Sequence, residues 1–328
     1  MAETKNIGDM AEIISDEIFS EFFWEKVGST NINWGCVQSD KHGGKKTHPS
    51  DVVFKYQDPY EQKDIYINFD LKSYQENSIS VREIRTALES LAMASECTQI
   101  SSDWQKIYTI PSTQFEIISS LFVYNHDNSF DRNFEKLLSD ATQKGISMSA
   151  GNKIFVFSPQ KIQYLKTVIN DMQTLRGKQV LPMQENYTFF YPTLNNKQTR
   201  NPWSSSATIE TLFNTWQIIK YRINIGNPKS DNFGIIVYYS KNGETQEEFR
   251  YLIDYLAHYQ IISDASNIMI KVANADKYAS VNFQNAITEY KMRFGLEDES
   301  SQKLESIKFE SITRLITEFS EFEIGMVH

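Results

Sequence analysis

The chain has 328 residues, which is long for one domain and comfortable for two. A hydrophobic content of 40% and an aromatic content of 13% can fill real cores, so the composition argues against a disordered chain. The formal net charge of −9 argues against a protein that coats nucleic acid through overall basicity, but not against a local basic site.

The composition also indicates where the protein works. Two cysteines, Cys36 and Cys97, form neither a disulfide framework nor a recognisable zinc set, and the five histidines show no paired metal-ligand spacing on a helix. No apolar run approaches the roughly 20 residues that span a bilayer, and the first ten residues do not resemble a secretory signal. We therefore expect a cytoplasmic protein with no membrane partner and no structural zinc.

The first half of the chain predicts the element order α-β-β-β-α-β-α-β-α. The first helix carries Ile14, Ile18 and Phe22 on one face and is expected to stop at Gly28. A later helix begins after Ser80, an N-cap residue followed by Glu83 at the capping-box position. Strands are predicted near residues 31–38, 51–57, 64–74, 115–125 and 152–158, and helices over 7–28, 81–100, 130–145 and 159–177.

The second half predicts a separate α+β domain. Residues 177–186 lose periodicity, so we place domains at 1–178 and 187–328, the second for targeting, sensing or oligomerisation. Strands are predicted near 187–192, 233–239 and 267–273, and helices near 208–221, 245–261, 281–294 and 304–319. No internal repeat is visible. A loop with Lys197, Arg200 and Trp203 is either a nucleotide-binding or an ordinary surface loop.

The stretch 64–74, DIYINFDLKSY, has apolar residues at every second place and ends with an aspartate and a lysine. This period predicts a half-buried strand with Asp70 and Lys72 on its polar face. If the preceding turn centres on Tyr60 and Glu61, antiparallel pairing places Asp51 opposite Asp70. Like charges opposed across strands are destabilising, whereas two such carboxylates can chelate Mg²⁺ or Mn²⁺. The alternative is that Asp51 caps its strand while Asp70 and Lys72 form a surface ion pair.

The residues "PSD", ending in Asp51, and "DLK", giving Asp70 and Lys72, resemble the PD-(D/E)xK phosphodiesterase superfamily. The resemblance covers about residues 8–176 and implies a restriction-endonuclease-like αβββαβ core. It also implies that Asp51, Asp70 and the carbonyl of Leu71 hold Mg²⁺ or Mn²⁺, and that Lys72 positions water or stabilises the transition state. The sequence departs from the common pattern in the serine before Asp51 and in having Asp at position 70, where Glu is commoner.

Further residues are candidates for the same site. Many family members add a glutamate from the first helix to the metal, and Glu17, beside Ile18, is expected to face the sheet; the alternative is a solvated acidic helix face. The Lys- and Gly-rich loop before Asp51 could contact a phosphate backbone, or it could be a solvated loop. Its basic residues are Lys41, Lys45 and Lys46, and Gln75 is a further candidate for contact with phosphate or water.

We therefore expect a Mg²⁺-dependent endonuclease that hydrolyses DNA, with bacterial restriction or anti-phage defence as its biological setting. That biological setting is implied by the resemblance alone. The alternatives are a nuclease that acts on RNA, or a catalytically inactive nucleic-acid-binding or assembly protein with the same fold. Expected partners are DNA, or RNA in the alternative, and either a second copy of the chain or a defence-system protein.

Overall fold

The computed structural model describes residues 2–111, 113–192, 205–223, 232–295 and 298–314. The chain forms two compact units, one extending to Leu165 and the other starting at Lys166. Each unit contains one five-stranded sheet with helices, so the predicted α/β class is confirmed. A search of the described helices finds none that is both long and apolar enough to cross a membrane.

The first unit is built on a mixed sheet with strand order β1-β4-β5-β6-β7. Strands β1, β4 and β5 pair antiparallel, β5, β6 and β7 pair parallel, and β2 and β3 form a separate hairpin. The elements are α1 (Ala2–Glu21), β1 (Glu25–Val27), β2 (Ile32–Gly35), β3 (Thr47–Ser50), β4 (Val52–Gln57), β5 (Asp64–Tyr74), α2 (Val81–Thr98), α3 (Ser102–Tyr108), β6 (Phe115–Asn125), α4 (Phe134–Thr142), β7 (Ile154–Phe157) and the start of α5 (Pro159–Gly177), which continues into the second unit.

Helix α1 covers one face of this sheet. Its predicted apolar stripe is confirmed, because Ile14, Ile18 and Phe22 are all buried. Phe19, also on α1, is fully buried and lies 4.9 Å from Phe69 of β5 between ring centroids. The same ring contacts aromatic residues of β4, β6 and β7, so this one helix holds four strands together through apolar burial.

The opposite face of the sheet is also covered, which corrects the expectation of a half-buried β5. Tyr66 and Asn68, predicted on a polar and open face, are both fully buried. The β2–β3 hairpin and α3 lie over them and contribute Trp34, Trp104 and Tyr108 to one apolar cluster with Tyr66. The period-2 pattern therefore gave the two faces correctly, but β5 is a central strand that is buried on both.

Helix α1 ends at Glu21, earlier than the predicted stop at Gly28. Phe23 adopts a left-handed φ of 65°, and the N–H of Trp24 donates to the carbonyl of Phe19, which closes the helix end. The next residues form the unpredicted strand β1. Gly28 has another role: a Cβ at this position would come within 2.5 Å of the Tyr108 ring, so the close approach of the backbone requires glycine.

Most other predictions for the first half are confirmed. Strands β4, β5 and β6 lie where the alternating pattern places them, and α2 begins after Ser80, whose hydroxyl accepts a hydrogen bond from the N–H of Glu83. Strand β3 and helix α3 were not predicted, because each is short and their residues mix polar and aromatic types without a clear period.

The second unit has a sheet with strand order β8-β9-β10-β11-β12. A helix was predicted over 208–221, but the chain forms α6 and then β9; likewise part of the helix predicted over 304–319 is β12. The loop of Lys197, Arg200 and Trp203 lies outside the described residues. After α5, the elements are β8 (Tyr187–Phe189), α6 (Ile209–Phe213), β9 (Trp216–Arg222), β10 (Phe233–Tyr239), α7 (Gln246–His258), α8 (Ile261–Asp264), β11 (Asn267–Ala273), α9 (Ala279–Phe294), α10 (Asp298–Glu305) and β12 (Lys308–Ile312).

The two sheets share a strand topology that the sequence did not reveal. In both, three antiparallel strands are followed by two parallel ones, and helices occupy the two parallel crossovers. They differ at the end of the central hairpin. The β9–β10 hairpin ends with Trp216 paired to Tyr239, two aromatic rings in the apolar core, where the β4–β5 hairpin ends with two aspartates. Only the first hairpin therefore presents a pair of carboxylates.

Candidate active site

The β4–β5 hairpin has the predicted register. Val52 pairs with Phe69, as a turn centred on Tyr60 and Glu61 requires. Asp51 and Asp70 are therefore the next residues outward. The N–H of Asp51 donates to the carbonyl of Phe69 at 3.2 Å. One carboxylate oxygen of Asp51 accepts a hydrogen bond of 2.7 Å from the N–H of Leu71. The first acid is therefore fixed directly to the strand that carries the D-x-K motif.

Asp51 and Asp70 interact electrostatically at this end of the hairpin. Burial and then the charge of Asp70 raise the pKa of Asp51 to about 6, against an opposing hydrogen bond from Leu71. Two carboxylates held this way cannot both ionise without cost in the metal-free protein. The structure therefore has the arrangement that the sequence predicts, in which two carboxylates that could bind a metal face each other.

Lys72 forms an ion pair with Asp70, as the alternative interpretation of this motif predicts. Burial acts to lower the pKa of Lys72, but the neighbouring Asp70 carboxylate outweighs it and the pKa is raised, so the ammonium stays charged. The pair is not on an open surface, since the Asp70 side chain is only 13% exposed. The carboxylate of Asp51 also acts on Lys72, which makes one coupled group of two acids and one base.

A buried polar network lies directly before Asp51, and sequence reasoning missed it. The Ser50 hydroxyl accepts hydrogen bonds from the indole N–H groups of Trp34 at 2.9 Å and Trp104 at 3.1 Å. It donates in turn to the Asn68 side-chain oxygen at 2.5 Å. These residues come from β2, β3, β5 and α3, so only the folded chain brings them together. The network fixes the backbone from which Asp51 projects.

Glu17 is exposed on α1 and does not face the sheet, contrary to expectation. The sheet-facing positions of that helix are occupied by Ile14 and Ile18, and no described contact joins Glu17 to Asp51 or Asp70. A ligand role for Glu17 stays a prediction. Glu21, one turn further, is half-buried, and its Oε2 atom is shielded from solvent.

The basic residues before Asp51 have separate surroundings. Lys41 forms an ion pair of 2.6 Å with Glu96 of α2, and Lys45 donates a hydrogen bond of 3.0 Å to Ser90 on the same helix. Lys46 is exposed, and so is Gln75 just beyond β5. The loop is therefore tied to α2, and its contact with phosphate stays a prediction.

The residues at the hairpin end fit a hard divalent cation. Carboxylate and carbonyl oxygens are the ligands that Mg²⁺ and Mn²⁺ prefer. Asp51 and Asp70 provide carboxylates, and a cation would offset the burial and the Asp70 charge that together raise the pKa of Asp51. Asp51 and Asp70 thus provide the oxygen ligands that such a site requires, and they suit either ion.

Comparison with known proteins agrees with this geometry. Residues 1–161 match the family model described as the GAPS4 protein PD-(D/E)XK nuclease domain. No curated protein and no solved structure matches the chain significantly. The matched residues contain the β4–β5 hairpin with Asp51, Asp70 and Lys72. The N-terminal half of the chain therefore belongs to the PD-(D/E)XK nuclease superfamily.

Proposed function

We propose that this protein is a Mg²⁺-dependent endonuclease that hydrolyses phosphodiester bonds in DNA. The observation that carries the proposal is the coupling of Asp51, Asp70 and Lys72 at one end of the β4–β5 hairpin. A nuclease domain matches this region, and its GAPS4 family is associated with defence. That association supports a role in anti-phage defence, within which a second copy or a defence-system protein would be the partner.

The metal would be held by Asp51, Asp70 and the carbonyl of Leu71. When bound, it would supply Lewis-acid polarisation of the phosphate and a water of lowered pKa. The protein supplies orientation: the hydrogen bond from Leu71 aims the Asp51 carboxylate, and β5 fixes the direction of Asp70. Ligands set by backbone hydrogen bonds keep their geometry before substrate arrives, which is the preorganisation that catalysis requires.

Lys72 would act on the reacting phosphate or on the attacking water. Its ammonium remains charged because Asp70 and Asp51 offset the cost of its partial burial. A fixed positive charge next to the ligands stabilises the negative charge that develops on the phosphate, and loss of such a group typically costs on the order of 10²–10³ in rate. Lys72 can serve in this way without a histidine base.

We propose DNA rather than RNA as the substrate because the motif resembles restriction-endonuclease-like enzymes, while the same centre would act on either. An inactive binding protein is the second alternative. The intact pair of acids and the lysine argue against it, since a non-catalytic sheet has no need for opposed carboxylates, as the aromatic Trp216–Tyr239 end of the second unit illustrates.

The test is a cleavage assay of the full chain on plasmid DNA and on RNA, with and without added Mg²⁺. We expect Mg²⁺-dependent cleavage of DNA, which Asp70→Asn and Lys72→Ala each abolish. Asp64→Asn, at the opposite end of the same strand, is the matched control and should cleave like wild type. Cleavage of RNA alone would favour the first alternative. Equal cleavage by wild type and Asp70→Asn would overturn the proposal.

A further inference from the structure

Four metal-ligating side chains converge on the sheet face that carries Asp70. They are Cys36 after β2, His42 in the following loop, His48 on β3 and Cys97 near the end of α2. One sulfur or ring nitrogen from each lies within 4.8 Å of all the others. Cys36, His42 and His48 follow one another at intervals of six residues, whereas Cys97 lies 61 residues after Cys36.

Three separations within this Cys2His2 cluster, those among Cys36, His42 and Cys97, are close to those of a tetrahedral site. The two Sγ atoms are 3.8 Å apart, which is too long for a disulfide bond of about 2.05 Å. Nδ1 of His42 lies 3.3 Å from Sγ of Cys36 and 3.6 Å from Sγ of Cys97. Metal–sulfur bonds of about 2.3 Å and metal–nitrogen bonds of about 2.0–2.1 Å around a tetrahedral ion give separations of about 3.8 and 3.6 Å.

His48 is the second, independent indication of a ligand. Its side chain is fully buried, and within the described part of the chain neither ring nitrogen has a hydrogen-bond partner. A buried imidazole without any partner is costly in a folded protein, whereas coordination to a metal would give one of its two nitrogens a partner.

The second ring nitrogen of His42 has the partner expected of a metal-bound histidine. Nε2 lies 3.2 Å from Oε2 of Glu96, which directs Nδ1 toward the two sulfurs. Glu96 is itself held by Lys41 at 2.6 Å and by the Ser149 hydroxyl at 2.7 Å. A carboxylate behind a histidine fixes both the tautomer and the direction of its lone pair. Lys41 therefore serves this cluster, in addition to any contact with phosphate.

Two backbone N–H groups donate to the sulfur of Cys97. They belong to Val37 and Gln38, directly after Cys36, and they act against the burial that raises the pKa of this thiol. Two thiolates would neutralise a divalent ion, and the Glu96 carboxylate is neutralised by Lys41, so the occupied site would be balanced in charge.

We propose that Cys36, His42, His48 and Cys97 bind one structural Zn²⁺, separate from the cation of the proposed nuclease site. Two sulfur and two imidazole donors in a closed tetrahedron are typical of structural zinc. Binding releases the two thiol protons to solvent. The expectation of no structural zinc is thereby replaced.

The zinc would tie α2 to the β2–β3 hairpin. His48 is two residues from Ser50, which anchors the backbone in front of Asp51, and the hairpin covers the buried face of β5. The loop with Lys45 and Lys46 is closed between His42 and His48, so the metal would also shape the basic loop. The zinc site would therefore stabilise the backbone before Asp51 without supplying a ligand to the proposed nuclease site.

The test measures metal directly and does not depend on nuclease activity. The full chain is purified without a metal-affinity step, and its metals are counted by mass spectrometry. We expect about one zinc per chain. Replacement by Co²⁺ should give thiolate-to-cobalt charge-transfer absorption and the intense visible bands of a tetrahedral ion.

Variants locate the metal. Cys97→Ser and His48→Ala should lose the zinc, whereas His258→Ala, an exposed histidine of the second unit, and Asp70→Asn should keep it. The Co²⁺ spectrum of the wild-type chain decides the question even if a cysteine variant fails to fold. A chain without zinc, a bound iron in its place, a Cys36–Cys97 disulfide, or an unchanged zinc content in Cys97→Ser would each overturn the proposal.

Discussion

The Asp51 carboxylate accepts a hydrogen bond from the backbone N–H of Leu71, the residue that separates Asp70 from Lys72. This bond joins the first acid to the strand of the second, so the two cannot separate without breaking a partly buried contact. It also stabilises the ionised form of Asp51, against burial and the repulsion from Asp70. The site thus maintains its geometry at an electrostatic cost that a cation would relieve.

That cost predicts a pH dependence of stability. The folded-state pKa of Asp51 is about 6 against an ordinary 3.8, so ionisation opposes folding above pH 6 and this penalty disappears below about pH 4. Asp51→Asn keeps a hydrogen-bond acceptor for Leu71 and stays neutral. We expect the variant to be more stable than wild type by about 1–2 kcal/mol at pH 7.5 without added divalent cations.

Denaturant unfolding of both proteins between pH 4 and pH 7.5 checks this prediction. The difference in free energy of unfolding should vanish near pH 4 and shrink at pH 7.5 when Mg²⁺ is added. A wild type that gains stability relative to Asp51→Asn as the pH rises would show that the carboxylate is stabilised by its surroundings, and the metal-site interpretation would be wrong.

The basic loop makes a separate electrostatic prediction. Lys46 is exposed, and the described contact of the half-buried Lys45 with α2 is a hydrogen bond to the Ser90 hydroxyl, so we expect both ammonium groups to reach a phosphate backbone. Replacing both with Ala should weaken DNA binding and reduce the slope of log affinity against log salt by about 1–2. Lys106→Ala, an exposed lysine on α3, is the control. A slope that does not change would identify the loop as a solvated connection.

The network around Ser50 predicts a large effect from a small substitution. Ser50→Ala removes the hydroxyl that accepts hydrogen bonds from the indole N–H groups of Trp34 and Trp104, both of which are buried. Two buried donors would lose their acceptor, so we expect a loss of about 2–4 kcal/mol in the free energy of unfolding.

Equilibrium unfolding in urea checks the Ser50 prediction. Ser147→Ala, at an exposed position, is the matched control and should change stability by less than about 0.5 kcal/mol. A loss below about 1 kcal/mol for Ser50→Ala would mean that water or a shifted side chain satisfies the two indoles.

The catalytic hairpin could be predicted from sequence because its information is local. The alternation from Ile65 to Leu71 gives the strand, and the short turn fixes the register that places Asp51 beside Asp70. The burial of Tyr66 and Asn68 could not be predicted, since it depends on a hairpin and a helix that come from other parts of the chain. A pattern of alternating polarity shows two faces but not whether something covers the second.

Two errors in the second unit have a common cause. The helix predicted from about residue 208 does begin there, as α6 with Thr208 at its N-cap, but the chain then turns into β9 because Ile218 and Ile219 pair with neighbouring strands. The segment around Phe309 likewise joins β11 as a parallel edge strand. Where a segment suits either helix or strand, the neighbouring strands of the sheet decide its structure. Local propensity carries no information about those neighbours. The shared topology of the two sheets is invisible for the same reason.

The four-residue metal cluster was missed because Cys97 lies 61 residues after Cys36, and only the fold brings it to the segment that holds Cys36, His42 and His48. The residues around the cluster supply the last prediction. Glu96→Gln retains the size of the side chain but removes the charge that orients His42 and pairs with Lys41. Removing a carboxylate behind a ligating histidine typically weakens metal affinity by about 10–100-fold. Glu89→Gln, on the exposed side of the same helix, is the control. Competition with a chromophoric chelator measures the zinc affinity of both variants. Equal affinities would show that Glu96 only anchors Lys41 and that zinc affinity does not depend on the tautomer of His42.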